Sequence, residues 1–114
     1  MTIEVRRRWS DDEQAAIIHA VHAALIHAFG IPDSDKNIRF VEHDPQRFAV
    51  SHLLALPEFK TLISIDCYSG RTVDMKRTLY GEVLQRLEVI GIPRDHVSIV
   101  LREEPHENWG SDAE

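Results

Sequence analysis

Along Leu62 to Tyr68 apolar and polar residues alternate, with Ile63, Ile65 and Cys67 on one side, and a period of two predicts a half-buried strand. Ser69-Gly70-Arg71-Thr72 follows as a turn. From Thr72 to Ile90 the spacing changes. Val73, Leu79, Tyr80, Val83, Leu87 and Ile90 recur at intervals near three and four, one apolar stripe along a helix. Gly91-Ile92-Pro93 stops that helix, and Val97, Ile99 and Leu101 resume alternation as a second strand. A chain that runs out along a strand, back along a helix and out again is building parallel neighbours, because parallel strands require a crossover.

The amino-terminal half follows the same order. Ile3 and Val5 share one side of a short strand, Ser10 opens a helix, Gly30-Ile31-Pro32 closes it, and a second strand is expected around Ile38-Arg39-Phe40-Val41. The two Gly-Ile-Pro stops lie about sixty residues apart, and the helix starts Ser10 and Thr72 keep nearly the same offset. Glycine followed by proline is also ordinary helix capping, but matching strands and helix lengths on both sides favour a tandem duplication of one β-α-β unit. The expected division is unit one over about residues 1–43, a connection over about 44–60, unit two over about 61–104 and a tail over 105–114, all in a single domain spanning 1–114.

Within this frame several local expectations follow. Ser10-Asp11-Asp12-Glu13 is a capping box with an acidic first turn, which suits the helix dipole. Behind it Ile17, Val21, Leu25 and Phe29, flanked by Ile18 and Ala28, form the buried stripe. Gly81 lies inside helix two, where it costs about 1 kcal/mol relative to alanine, and close packing against the sheet or the other helix is the expected reason. Leu53, Leu54 and Leu56 fall in the long connection and need cover, from the sheet edge or from a neighbouring subunit. Trp109, in a polar acidic stretch, is expected to pack on the body or close a pocket.

Composition narrows the function classes. A chain of 114 residues makes one domain with a modest core, helped by association. Its net charge of −6, with no basic stripe carrying interleaved aromatics, argues against nucleic acid as a partner. Arg6-Arg7-Arg8 is expected to be a solvated strand edge. No apolar run is long enough for a bilayer and no signal-peptide pattern precedes Ile3, so a soluble cytoplasmic protein without membrane contact is expected. Cys67 is the sole cysteine, which rules out an intrachain disulfide; on the apolar side of its strand it reads as a structural thiol more readily than a nucleophile. His19 and His22, three apart with no carboxylate or cysteine partner, make a poor zinc site, so neither metal nor cofactor is expected. His43 beside Asp44 resembles an oriented imidazole, but no serine or cysteine elbow accompanies it, and a structural or exposed histidine is expected.

One place could hold an anion. The free amides at the start of helix two and the Arg71 guanidinium just before it could together bind a carboxylate. An arginine in such a turn is also common on any surface. Asp33-Ser34-Asp35, after the first helix stop, is a polar loop suited to turn chemistry.

Two tandem β-α-β units, the Ser-x-x-Glu helix start, Phe29-Gly30-Ile31-Pro32, Glu42-His43-Asp44-Pro45, Gly70-Arg71-Thr72 and Glu107-Asn108-Trp109, in this order and spacing, resemble the tautomerase superfamily. The likeness is to its duplicated-unit branch, which includes malonate semialdehyde decarboxylase. The resemblance implies an α/β (α+β) fold, a four-stranded sheet with two helices on one face, assembled as a homotrimer. It implies a cofactor-independent reaction in which an amino-terminal proline is the proton carrier, an arginine binds a carboxylate or carbonyl oxygen, and an acidic loop residue assists. By this resemblance Arg71 is the arginine and Asp35 the loop acid. The decarboxylase's further arginine, two positions earlier, is replaced by Ser69. Ser69 and Trp109 would line the ligand pocket with Arg71.

The departure from the family lies at the front. No proline precedes Pro32, and the first-strand and cap residues align so that Met1 falls about two places inside the family's first residue. The amine of Met1, or of Thr2 after trimming, would then be displaced along a strand that advances about 3.3 Å per residue, whereas a general base acts within roughly 2.6–3.2 Å. The expected function is therefore a tautomerase-superfamily homologue without the proline-dependent tautomerase, decarboxylase or dehalogenase activity, retaining a small carboxylate pocket at Arg71. Two alternatives stay open: an isomerase or lyase acting on a 2-oxo or unsaturated acid through the displaced amine or Asp35, and a structural or partner-binding trimer. A different native start of the chain would also account for the missing proline.

Overall fold

The computed structural model describes residues 1–110. Strand β1 (Thr2–Val5) leads into helix α1 (Asp11–Phe29) and strand β2 (Arg39–Glu42); after a connection with two short 3-10 turns, strand β3 (Thr61–Tyr68), helix α2 (Val73–Ile90) and strand β4 (Val97–Glu104) repeat the order. The sheet runs β2-β1-β3-β4. Within each unit the strands are parallel, and the two units meet through the antiparallel pair β1 and β3, with Ile3 opposite Ile63. The tandem β-α-β architecture expected from the sequence is thus the fold, and the duplication places the units back to back across the centre of the sheet.

Period-two alternation sends Ile3, Val5, Ile63 and Ile65 to one face of the sheet, where they are covered by Ile17, Val21 and Leu25 of α1 and by Leu79, Val83 and Leu87 of α2. Each fully buried side chain of this size contributes roughly 1.5–3 kcal/mol of transfer free energy. The other face keeps Glu4, Ser64 and Asp66 at least partly in solvent. Both helices are capped as their sequences demand. The Ser10 hydroxyl accepts from Glu13 N–H at 3.2 Å while the Glu13 carboxylate accepts from Ser10 N–H at 2.9 Å, and the Thr72 hydroxyl accepts from Met75 N–H at 3.1 Å. Gly30 and Gly91 end the helices with left-handed backbones, φ 67° and 110°, where a side chain would be strained.

The structure extends some local expectations and corrects others. Strand β4 continues through Arg102, Glu103 and Glu104, because all of β3 up to Tyr68 pairs with it in register. Its charged end is paired at the surface: Arg102 meets Asp66 at 2.8 Å and Glu103 meets Lys76 at 2.5 Å. Val73 stands exposed in the first turn of α2, outside the buried stripe. Gly81 has open space where a Cβ would point, so close packing is not its reason. Arg7 is no free strand edge; its guanidinium lies 4.8 Å from the ring centroids of both Trp9 and Phe59. His43 is oriented by Glu4 across the sheet at 2.9 Å, while Asp44 caps the following turn through Gln46 N–H. In the connection Leu53 and Leu56 remain exposed within the protomer.

Candidate functional site

A cavity of about 320 Å³ opens where Met1 at the head of β1, the end of β3, the carboxy-terminal half of α1 and the loop from Ile31 to Arg39 converge. Its walls include Met1, Asp35, Arg71 and Trp109, together with Phe29, Ile65 and Cys67. The strand directions explain this placement: the parallel crossover brings the loop before β2 beside Met1, and the antiparallel pairing of β1 with β3 puts the end of β3 and Arg71 at that same end of the sheet.

Arg71 is half-buried. Its Nη1 donates to the Tyr68 carbonyl at 3.1 Å, and its guanidinium carbon lies 5.0 Å from the Phe29 ring centroid. A backbone acceptor and an aromatic face hold the group without neutralising it, and among the described residues no carboxylate lies within ion-pair distance of it. The positive end remains available to an anion. The start of α2 is shielded by its own cap, Thr72.

The Met1 ammonium donates to the Asn37 carbonyl at 2.9 Å, and the Arg39 N–H donates to the Met1 carbonyl at 3.0 Å. The terminus is therefore fixed against the loop preceding β2. Burial, followed by the nearby Arg39 charge, holds this amine below its ordinary value, opposed by Asp66 and Asp35. Asp35 stands in the same wall, its N–H donating to the Pro32 carbonyl at 3.0 Å and its own carbonyl accepting from a ring nitrogen of His22 at 3.1 Å.

Trp109 closes one side. Its indole N–H donates to the Glu104 carbonyl at 3.3 Å, and its ring leans on Tyr68 at 5.1 Å between centroids, while Tyr68 stacks on His106 at 3.9 Å. A short 3-10 turn, His106–Asn108, carries the chain back to make this contact possible.

Of the residues singled out from sequence, Met1, Asp35, Arg71 and Trp109 meet in this one cavity, and Ser69 does not belong to its described lining. Ser69 is exposed, its N–H spent on the Glu104 carbonyl at 3.1 Å. The Thr2 hydroxyl accepts from Arg39 at 3.1 Å, also outside the lining. Polar contributors missed from the sequence include His22, Arg39, Cys67 and Asp66. His22 shares spacing with Leu25 and Phe29, three and seven residues on, a helical face the sequence displays. Cys67 lies half-buried at the cavity wall instead of deep in the core, and burial raises its thiol above the ordinary value although Arg71 pulls the other way. Asp66 is held low by its hydrogen bond to Arg102. Among the described residues no cluster of three or more histidine, cysteine or acidic side chains could hold a metal ion, and no helix is long and apolar enough to cross a membrane.

The family described as tautomerase enzyme matches residues 35–111, about two thirds of the chain. No curated protein matches it. Among solved structures, the FG41 malonate semialdehyde decarboxylase inhibited by 3-bromopropiolate is 26% identical, with a TM-score of 0.85 over 96% of this chain and 86% of that one. N1, a member of the cis-3-chloroacrylic acid dehalogenase family, is 22% identical, with a TM-score of 0.82 over 100% and 82%. A fused 4-OT asymmetric trimer is 17% identical, with a TM-score of 0.87 over 99% and 92%. The last two likenesses carry the fold alone. Family match and fold agree, and the chain belongs to the tautomerase superfamily.

Proposed function

We propose that this protein binds a small carboxylic acid in the cavity, with Arg71 as the anchor for the carboxylate, and that the family's proline-dependent chemistry is absent from it. The observation that carries the reading is the half-buried Arg71 guanidinium, held by Tyr68 and Phe29 and facing a cavity that also holds Asp35 and Trp109. A volume near 320 Å³ suits a ligand of a few carbon atoms. Trp109 supplies an apolar wall for the ligand's chain, and Ser69, beside Arg71 in the turn, has only an outer role. The test is a titration of pyruvate followed by amide chemical shifts. Saturable shifts around the cavity in the parent chain, lost at least tenfold in affinity in Arg71→Ala, support the reading; equal affinity in the two chains defeats it.

A second reading is favoured by the Met1 amine standing in the same cavity with its basicity lowered. A neutral amine donating one N–H to the Asn37 carbonyl keeps its lone pair for a substrate. In an enol acid anchored at Arg71, the lone pair would take the enol O–H proton and the resulting ammonium would deliver a proton to the adjacent carbon, giving the 2-oxo acid and returning the amine unchanged. Asp35 is the other candidate for a proton carrier. Turnover of phenylenolpyruvate and of 3-chloroacrylate decides between the readings. Rates equal to buffer, in protein that binds pyruvate, leave the binding reading; a rate lost on blocking the α-amine establishes the second.

The same reading includes a cytoplasmic homotrimer that uses no cofactor. The exposed Leu53 and Leu56, and Val41 and Val100 on the strands, are the apolar surfaces that association would cover, and fused 4-OT, which shares the fold, is a trimer. Sedimentation giving the protomer mass alone would exclude this. If the cavity takes no acid while the trimer forms, a structural or partner-binding role is what remains.

A further inference from the structure

Helix α1 places a histidine where its apolar stripe needs none. His22 is only 4% exposed, on the same face as Leu25 and Phe29, and it lines the cavity. A buried polar ring is retained without loss only when it is hydrogen-bonded. Its partner is specific: Nε2 lies 3.1 Å from the Asp35 carbonyl oxygen. A carbonyl can only accept, so Nε2 carries the proton and donates.

The loop this bond holds has few other anchors near the cavity. Asp35 N–H closes a turn onto the Pro32 carbonyl, and two residues after Asp35 the Asn37 carbonyl receives the Met1 ammonium at 2.9 Å. A rigid helix therefore grips the loop at residue 35, and the loop grips the amino terminus at residue 37. The two candidate proton carriers named above, the Asp35 carboxyl and the Met1 amine, thus share a link to α1 through one imidazole, the Met1 carbonyl being held besides by the Arg39 N–H.

We infer that His22 is a positioning residue of this site, fixing the Asp35 loop to helix α1 and, through the Asn37 carbonyl, setting where the Met1 amine stands. Its ring acts through the loop backbone, whereas Arg71 is held separately by Tyr68 and Phe29. The inference rests on the reading of the cavity as the ligand site, but its test does not require a ligand to bind.

The test uses the full chain, verified by mass to begin at Met1. Three chains are compared: the parent, His22→Leu, which fills the space but cannot donate, and His22→Gln, whose side-chain amide can replace the Nε2–H. Amide exchange at Asp35 and the pH midpoint for acetylation of the α-amine by acetic anhydride are read in each. In His22→Leu, Asp35 exchange rises roughly tenfold, the fold-change matching loss of one hydrogen bond of ordinary net strength, and the amine midpoint moves up toward that of the urea-unfolded chain. In His22→Gln both return toward parent values. A leucine chain with parental exchange and midpoint overturns the inference, as does a glutamine chain that behaves like leucine. Should the leucine chain fail to fold, nitrogen-15 spectra of the parent imidazole decide, because a neutral His22 carrying its proton on Nδ1 could not make the bond. Absence of pyruvate binding in all three chains counts against the ligand site and leaves the amine and exchange results to judge His22.

Discussion

The Met1 ammonium and the Asn37 carbonyl oxygen are 2.9 Å apart, a bond between the residue just before the central strand β1 and the loop before the edge strand β2. It turns the amino terminus inward, into the wall of a cavity that the end of β3 and Arg71, in the turn after it, also line. The displacement expected along β1 therefore does not carry the amine out of the cavity that holds Arg71.

The amine's lowered basicity has a sign that can be measured. In the unfolded chain it titrates near 8.0, and in the folded chain lower, because burial and then Arg39 disfavour the cation. Between those two values the unfolded chain holds more protons, so stability rises with pH across the window, and the penalty is fully present below the folded value. Arg39→Ala removes one cause. The acetylation midpoint of the amine should move upward in that variant, and an unchanged midpoint would show that Arg39 does not act on it.

The opposite limb belongs to two carboxylates. Asp66 is held below its ordinary 3.8, chiefly by the Arg102 hydrogen bond, and Glu103 below 4.5, chiefly by Lys76. Groups of this kind add stability above their unfolded values and lose it as pH falls through the folded ones. Both pairs lie in solvent, so the contribution is small and weakened by salt. Arg102→Ala should return the Asp66 carboxyl to its ordinary range in a carbon-13 titration while leaving Glu103 in place; simultaneous movement of both would mean the end of β4 titrates as one unit.

His96 is 2% exposed and accepts the Leu56 N–H through Nε2 at 3.1 Å while Nδ1 faces Asp95 at 2.7 Å. An imidazole that accepts on one nitrogen must be neutral and carry its proton on the other. His96→Leu leaves the Leu56 N–H without its partner and should cost about 1–3 kcal/mol. Urea denaturation gives the loss, and exchange at the Leu56 amide should quicken more than at the Val83 amide; equal changes at both would indicate a general loss of packing.

Gly81 lies exposed in the interior of α2, with nothing within 4 Å of the direction a Cβ would take. Gly81→Ala should therefore stabilise the protomer by about 0.5–1 kcal/mol, read as a higher thermal midpoint. Gly91→Ala is the counter-case, since φ of 110° strains any side chain, and its midpoint should fall. A lower midpoint in Gly81→Ala would point to a neighbouring subunit packed on that face.

Most of the architecture was written in periodicity. The alternation at Ile3 and Val5 and at Ile63 and Ile65, the three-and-four spacing of Ile17, Val21, Leu79, Val83 and Leu87, and the two Gly-Ile-Pro stops depend on neighbours along the chain. Local backbone geometry therefore suffices to give the tandem units, and the capping residues Ser10 and Thr72 are legible for the same reason. Motif order was enough to bring Asp35, Arg71 and Trp109 forward. What only tertiary structure decided was which polar groups share a space. His22 reaches the Asp35 carbonyl, the Met1 amine reaches Asn37, Arg102 pairs with Asp66, and Arg7 finds the Phe59 ring, all across gaps of chain with no fixed spacing. Hydrogen bonds and ion pairs act over about 3 Å in space, and the chain's own order records no distance until the crossovers have brought its ends together.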